Sequence, residues 1–206
     1  MTSGCHCVCC SLCTDTLTLN DEASAIADEQ LARARSGERA ALAELIRAHQ
    51  RSVYSLALRM LGTRDLAEDL TQDVFMQLNG NLKSIESSKH LMFWLRKVTT
   101  YRAIDHLRRQ SRLVMTPLED EAQFLSTVDG GDPLLQRHLR SLLLGLSPSA
   151  RAVVLLRYQE DLDLVDIART LDMPIDTVKS HLKRSLETLR RNTPGAASTR
   201  CRDEST

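Results

Sequence analysis

The chain has 206 residues, of which 42% are hydrophobic and only 3% aromatic, and its 27 basic residues are balanced by 27 acidic residues. This length accommodates one or two small domains, each with a core of its own. A formal net charge of zero argues against a protein that coats nucleic acid by bulk electrostatics, because that contribution to binding grows with the number of phosphates neutralised.

Apolar residues recur at spacings of three and four along most of the chain, which predicts helices. The longest apolar runs, such as residues 142–144 and 153–156, are far short of a membrane span, and the first residues lack the charged-then-apolar order of a signal peptide. The sequence contains no nucleophile, base and oxyanion-donor combination and no metalloprotease motif. We therefore expect an all-α cytoplasmic protein that is not inserted in a membrane, is not an enzyme and needs no cofactor.

Five of the six cysteines lie in the first 13 residues, in the segment CHCVCCSLC, at positions Cys5, Cys7, Cys9, Cys10 and Cys13. In a cytosolic chain this is not a disulfide framework, and the separated ligand pairs of a zinc finger are missing. Thiolates at this density could bind a soft ion such as Zn²⁺ or Cu(I), or form a redox-sensitive tail. The alternatives are a disordered leader, over residues 1–27, or a start codon placed too early.

A first domain is expected over residues 28–113. The segment AALAELIRAHQRSVYSLALRMLG carries a long apolar stripe at helical spacing, which Gly62 should end as a C-terminal cap. His49 lies in that stripe and is more typical of a packed core histidine than of a ligand.

The next helix, TRDLAEDLTQDVFMQL with Thr63 as its expected cap, has an apolar face and an acidic face. The acidic face, here called the acidic stripe, comprises Asp65, Glu68, Asp69, Gln72, Asp73 and Met76. Negative charge can steer the encounter with a basic partner, and a small apolar patch can then hold that partner. The acidic stripe therefore indicates a docking surface for a basic partner helix. The alternative is a merely solvated face.

Residues 79–89, NGNLKSIESSK, are expected to form a polar loop, with Ser88 capping the helix that follows. In that helix, HLMFWLRKVTTYRAIDHLRRQSR, the apolar stripe rotates, so the helix must bend or pack on two neighbours. Its exposed side, the basic-aromatic face, comprises Trp94, Arg96, Lys97, Tyr101, Arg102, Arg108 and Arg109. Aromatic planes beside cations suit single-stranded DNA, although Trp94 could also belong to the core.

Residues 114–133 contain proline, a Gly-Gly pair and an acidic cluster, which predicts a flexible linker to a second helical domain at residues 134–192. Residues 193–206 form a polar tail that we expect to be disordered.

The second domain ends in LDLVDIARTLDMPIDTVKSHLKRSLETLRR, whose periodicity predicts a helix-turn-helix. Asp163 should cap the first helix, and residues 172–174 should form the turn. The second helix has an apolar face and an opposite recognition face of Asp176, Thr177, Lys179, Ser180, His181, Lys183 and Arg184. Such a face can enter a major groove and reach phosphates on either side, or it is an ordinary solvated surface.

Four segments together resemble the extracytoplasmic-function (group 4) sigma factors of the sigma-70 family: AALAELIRAHQRSVYSLALRMLG, DLAEDLTQDVFMQL, WLRKVTTYRAIDHLRR, and DIARTL followed by TVKSHLKRSLETLR. The resemblance implies that the first domain, sigma domain 2, binds the clamp coiled coil of the largest subunit of core RNA polymerase through the acidic stripe. It implies that the basic-aromatic face opens and recognises the minus-ten promoter element, with a flipped base held near residues 79–89. The second domain, sigma domain 4, would recognise the minus-thirty-five element. An anti-sigma factor is a further possible partner.

The sequence departs from the family pattern at three positions. Tyr101 stands where many relatives have Asn, which puts the identity of the base recognised there in doubt. Asp172 and Asp176 replace frequent glycines. Asp tolerates a left-handed backbone, so Asp172 should preserve the turn, whereas Asp176 brings a negative charge to the recognition face.

Two other functions are compatible with parts of this sequence. A stand-alone helix-turn-helix regulator would account for the second domain, since LuxR-type regulators contain similar segments, but it leaves the acidic stripe and the Trp94 segment unexplained. A metal- or redox-sensing interaction protein would account for the cysteines alone.

Overall fold

The computed structural model describes residues 25–113 and 133–192, and every regular element in these two ranges is a helix. In the first range α1 covers residues 25–35, followed by α2 (Arg39–Leu61), α3 (Arg64–Asn81), a 3-10 turn (Leu82–Ser84) and α4 (Ser88–Leu113). The second range holds α5 (Pro133–Leu144), α6 (Pro148–Tyr158), α7 (Leu164–Leu171) and α8 (Ile175–Asn192). The expected all-α fold of two small helical domains, the second with a helix-turn-helix, is confirmed. The cysteine segment, the acidic part of the linker and the tail lie outside the described residues.

The core of the first domain lies among α2, α3 and α4. The helical stripe of α2 is buried at Leu45, Val53, Leu56 and Met60, and it packs against the apolar faces of α3 and α4. Each such side chain contributes roughly 1.5–3 kcal/mol when fully removed from water. Gly62 ends α2 with a left-handed backbone (φ 87°), and its N–H donates to the carbonyl of Leu58, as the sequence predicts.

The connection from α3 to α4 differs from the polar loop expected over residues 79–89. α3 continues through Gly80 to Asn81, and the 3-10 turn follows directly. Leu82 and Ile85 are buried, with exposures of 5% and 0%, so this segment anchors in the core. Only two of the eleven residues in this segment are apolar, and their periodicity was too weak to predict burial.

Two of the expected helix caps are also corrected. Ser87, rather than Ser88, caps α4: its hydroxyl accepts from the N–H of His90 at 3.2 Å. The N–H of Ser88 donates to the carboxylate of Asp28 at 2.6 Å, which ties α1 to α4 and lowers the pKa of Asp28. Thr63 occupies the N-cap position of α3, but its side chain makes no capping hydrogen bond.

The helix-turn-helix forms as the sequence predicts. The Asp163 carboxylate accepts from the N–H of Asp166 at 2.7 Å at the start of α7. Asp172 ends α7 in the left-handed region (φ 49°), which confirms that aspartate can serve there in place of glycine. α8 then begins at Ile175 and packs on α6 and α7.

The two domains pack against each other, which the sequence did not predict. α4 contacts α2 and α3 on one side and α6 and α7 on the other, so its rotated apolar stripe does serve two sets of neighbours. Arg151 of α6 is only 5% exposed, and its guanidinium donates to four carbonyls. One is that of Met60 at the end of α2, and the others are those of Leu143, Leu144 and Leu146. Arg140 of α5 likewise donates to the carbonyl of Gly62.

Candidate nucleic-acid and protein interfaces

The acidic stripe of α3 faces outward along its whole length. All six of its residues are exposed, because the helical repeat that buries Ala67, Leu70, Val74 and Leu78 turns them away from the core. Met76 is 67% exposed, which is unusual for so large an apolar side chain, whereas its neighbour Phe75 is buried. The surface therefore combines negative charge with one apolar contact point.

A groove of about 1210 Å³ runs between α3 and α4. One wall carries four members of the acidic stripe, Asp69, Gln72, Asp73 and Met76. The other wall carries five members of the basic-aromatic face, Trp94, Lys97, Tyr101, Arg102 and Arg109. Two sets of residues that lie far apart in the sequence thus share a single surface feature.

Arg102 connects the two walls of this groove. Its guanidinium donates to the Asp73 carboxylate at 2.9 Å and to the side-chain oxygen of Gln77 at 3.0 Å. The side chains of Arg102 and Asp73 are 41% and 59% exposed, so the ion pair contributes no more than about 1 kcal/mol. A competing phosphate or a basic partner can therefore displace it at small cost.

Aromatic and basic side chains alternate along the α4 wall. The ammonium group of Lys97 lies 5.8 Å from the ring centroids of both Phe93 and Tyr101, within the range of a cation–π contact. Trp94 is half-buried and packs against the core, so it serves the fold while one side remains accessible. Burial raises the pKa of the Tyr101 hydroxyl, and the carboxylates of Asp172 and Asp105 raise it further. Phe93, which was not predicted from the sequence, also belongs to this wall.

Arg96 is not on the exposed side of α4, contrary to the sequence-based expectation. Its side chain is 22% exposed and forms an ion pair at 2.8 Å with Glu160, whose side chain is 6% exposed. Glu160 follows α6 in the second domain. Burial lowers the pKa of His49, and the positive charge of Arg96 lowers it further. Arg108 and Arg109 do remain exposed, with Arg108 3.5 Å from the hydroxyl of Ser149.

The recognition face of α8 is accessible. Val178 and Ser185 are buried and Leu182 and Leu189 pack against the core, so the opposite side of the helix faces outward. Six residues of the recognition face are exposed and His181 is half-buried. Asp176 pairs with Lys179 at 3.3 Å, which partly offsets the negative charge that Asp176 brings to this face.

Neither a metal centre nor a membrane span emerges from residues 25–113 and 133–192. No group of three or more His, Cys, Asp or Glu side chains in these ranges could hold a metal ion. No helix in the same ranges is long and apolar enough to cross a bilayer. The five clustered cysteines lie outside the described residues, so the metal or redox role remains a prediction from the sequence.

Solved structures of other proteins resemble this fold, among them the following two. One is the sigma factor RpoE in its complex with the anti-sigma factor NepR from Bartonella quintana, with a TM-score of 0.62 and 22% identity over 72% of this chain and 94% of that one. The other is CnrH in complex with the cytosolic domain of CnrY, with a TM-score of 0.58 and 21% identity over 80% of this chain and 95% of that one. At this level of identity the likeness establishes the fold.

Family models and curated relatives give a consistent assignment. The model of sigma-70 region 2 matches residues 45–113, and that of sigma-70 region 4 matches residues 136–189. The ECF RNA polymerase sigma factor SigW of Bacillus subtilis is 26% identical over 79% of this chain and 94% of its own length. The ECF RNA polymerase sigma factor SigE of Mycolicibacterium smegmatis is 32% identical over 75% of this chain and 63% of its own length. The chain therefore belongs to the extracytoplasmic-function sigma factors of the sigma-70 family.

Proposed function

We propose that this protein is a sigma factor that binds core RNA polymerase and directs promoter-specific transcription initiation in the cytoplasm, without catalysing a reaction itself. The observation that carries the proposal is the combination of surfaces in one chain. The first domain presents an acidic stripe and a basic-aromatic face on two walls of one groove, and the second presents an exposed recognition helix. A stand-alone regulator needs only the last of these.

The acidic stripe is the surface that we assign to the polymerase. Its carboxylates would steer the encounter with a basic partner, and Met76 would enter an apolar pocket on that partner. The partner that fits is the clamp coiled coil of the largest polymerase subunit. Because the stripe lies on one rigid helix, docking requires no folding of this segment.

The basic-aromatic face is the surface that we assign to the minus-ten element. Stacking on aromatic rings contributes about 1–3 kcal/mol per base, and it is available only to bases that have left the duplex. Tyr101 and Trp94 supply the rings in this groove, and Lys97, Arg102, Arg108 and Arg109 supply charge for the backbone. We keep Arg96 in this set, although it must first leave Glu160.

The recognition face of α8 is the surface that we assign to the minus-thirty-five element. Thr177 and Ser180 are exposed near the start of α8 and Arg184 is exposed near its middle, on the side that a major groove would receive. Asp176 can accept a hydrogen bond from a cytosine amino group once Lys179 turns to a phosphate. Duplex contacts of this kind anchor the protein upstream of the melted region.

An anti-sigma factor is the regulatory partner that we assign to this chain. Both structural neighbours are held in complexes, one with an anti-sigma factor and one with the cytosolic domain of CnrY. This chain shares the fold of these two neighbours, so an anti-sigma factor could bind the surface of this chain that corresponds to the one bound in those complexes.

Co-elution with purified core RNA polymerase on size exclusion tests the docking assignment. We expect the wild-type chain to co-elute and the Asp69→Lys, Asp73→Lys variant to elute alone, because both reversed charges lie on the exposed wall of the groove. The matched control is Glu44→Lys, which changes an exposed carboxylate of α2 outside that wall. Normal co-elution of the folded double variant would refute the assignment.

A further inference from the structure

Met76 is the one apolar member of the acidic stripe, and it is the most exposed methionine in residues 25–113 and 133–192. It is 67% exposed, whereas Met60 is fully buried and Met92 and Met173 are half-buried. The other two of the six methionines lie outside these ranges. Small solutes therefore reach the Met76 thioether more readily than any other methionine sulfur that the structure describes.

Met76 lies where a change of polarity would affect docking. It follows Gln72 and Asp73 by one helical turn, so the three side chains share one face of α3 and one wall of the groove. Because the other members of the stripe are polar, the apolar contact that the stripe offers a partner depends on this side chain. A few anchoring side chains commonly carry most of the binding free energy of an interface, so loss of this contact should weaken the whole complex.

Two-electron oxidants convert a thioether to a sulfoxide. The sulfur donates an electron pair to one oxygen of hydrogen peroxide, and an S–O bond forms as the O–O bond breaks. The proton of the transferred hydroxyl passes to the departing hydroxide, which leaves as water. Thiol-dependent reductases return two electrons and release the oxygen as water, so the change is reversible. An uncharged peroxide suits this surface, because Asp69 and Asp73 on the same wall repel anionic oxidants such as hypochlorite.

We propose that Met76 is an oxidation-sensitive site, and that conversion of its thioether to the sulfoxide by a peroxide reversibly weakens docking on core RNA polymerase. The inference rests on the proposed assignment of the acidic stripe to the polymerase. The sulfoxide oxygen is a strong hydrogen-bond acceptor, and it would lose its water on entering an apolar pocket without gaining a donor. The fold itself should be retained, because Met76 is not part of the core.

Met76→Leu is the variant that tests the proposal, because leucine keeps a similar apolar volume and has no sulfur to oxidise. Met92→Leu is the matched control, since Met92 lies on α4, outside the groove and outside both assigned surfaces of the first domain. Each chain is treated with hydrogen peroxide and then with dithiothreitol, which returns disulfides to thiols. The cysteines are common to all the chains, so their oxidation cancels in the comparison. Circular dichroism on every sample establishes that the helices are retained.

Two quantities are measured on the treated and untreated chains. Peptide mass spectrometry gives the sulfoxide content of each methionine, and surface plasmon resonance on immobilised core RNA polymerase gives the Kd. We expect Met76 to be oxidised before Met60, Met92 and Met173, because it is the most exposed of the four. Treatment should raise the Kd of the wild type and of Met92→Leu by roughly ten-fold, and change that of Met76→Leu by less than about two-fold from its own untreated value. Methionine sulfoxide reductases A and B should together restore the wild-type Kd.

An equal fractional loss of affinity for the wild type and Met76→Leu would overturn the proposal, because the sensitive group would then lie elsewhere. So would a wild-type chain that is oxidised at Met76 and still binds polymerase as tightly as the untreated chain. Oxidation of Met92 or Met173 ahead of Met76 would likewise overturn it. Failure of the proposed function is distinguishable from these outcomes, since the untreated wild-type chain would then not bind polymerase at all.

Discussion

Replacement of Arg151 by methionine should destabilise the whole described fold, because this one side chain joins the ends of two helices from different domains. Its guanidinium donates to the carbonyls of Met60, Leu143, Leu144 and Leu146. Methionine fills most of the space but donates to none of them. The carbonyl of Leu143 keeps the N–H of Leu146 at 3.1 Å, whereas the other three lose this donor. Each buried carbonyl left unpaired costs about 1–3 kcal/mol, and removal of a buried charge returns part of the total. We expect a net loss of about 2–4 kcal/mol.

The assay is thermal unfolding followed by calorimetry and circular dichroism. At ~2–4 °C per kcal/mol for a protein of this size, the melting temperature of Arg151→Met should fall by roughly 5–15 °C. The control is Arg157→Met, whose guanidinium donates to one backbone carbonyl, that of Leu162 at 2.9 Å, and which should lose only about 1 kcal/mol. Equal melting temperatures for the two variants would refute the role of Arg151 as a stabilising link between the domains.

Three further predictions concern separate parts of the chain. Arg184→Ala should weaken a duplex footprint at the minus-thirty-five element by roughly ten-fold and leave polymerase co-elution unchanged, because Arg184 is exposed on the recognition face; an unchanged footprint would contradict the assignment. The pKa of His49 is lowered from 6.5, so the folded form resists protonation and the free energy of unfolding should decrease as pH falls from 7.5 to 5.5. In urea titrations, His49→Gln should lose less stability than the wild type over that pH range. Equal losses would exclude His49 as the cause. If the cysteine segment binds a soft metal, Zn²⁺ should protect Cys5, Cys7, Cys9, Cys10 and Cys13 from alkylation. Unchanged alkylation in the presence of Zn²⁺, together with unchanged transcription after deletion of residues 1–20, would favour a leader without function.

Local features of the fold were predictable from the sequence because short-range rules determine them. Gly62, Asp163 and Asp172 act at helix ends through backbone conformations and hydrogen bonds that span only a few residues. The outward orientation of the acidic stripe follows equally from the helical repeat. Phe75 shows the limit of this reasoning: it lies next to the exposed Met76 in the sequence, yet it is buried.

Contacts between distant segments were not predictable in the same way. Arg96 pairs with a residue 64 positions away, and Arg151 reaches a carbonyl 91 positions away. Residue type alone does not distinguish Arg96 from the exposed Arg102, and both were therefore predicted to lie on the basic-aromatic face. The rotation of the apolar stripe along α4 indicated a second set of neighbours, but it did not identify the second domain as that neighbour.

Run-off transcription by core RNA polymerase on fragmented genomic DNA of the source organism tests the central claim most directly. The account predicts discrete new transcripts when the purified chain is added, with start sites that share sequences near minus ten and minus thirty-five. It also predicts that the Asp69→Lys, Asp73→Lys variant gives none of them. A chain that shifts duplex DNA by itself, but neither binds polymerase nor yields new transcripts, would contradict the account and identify a stand-alone regulator.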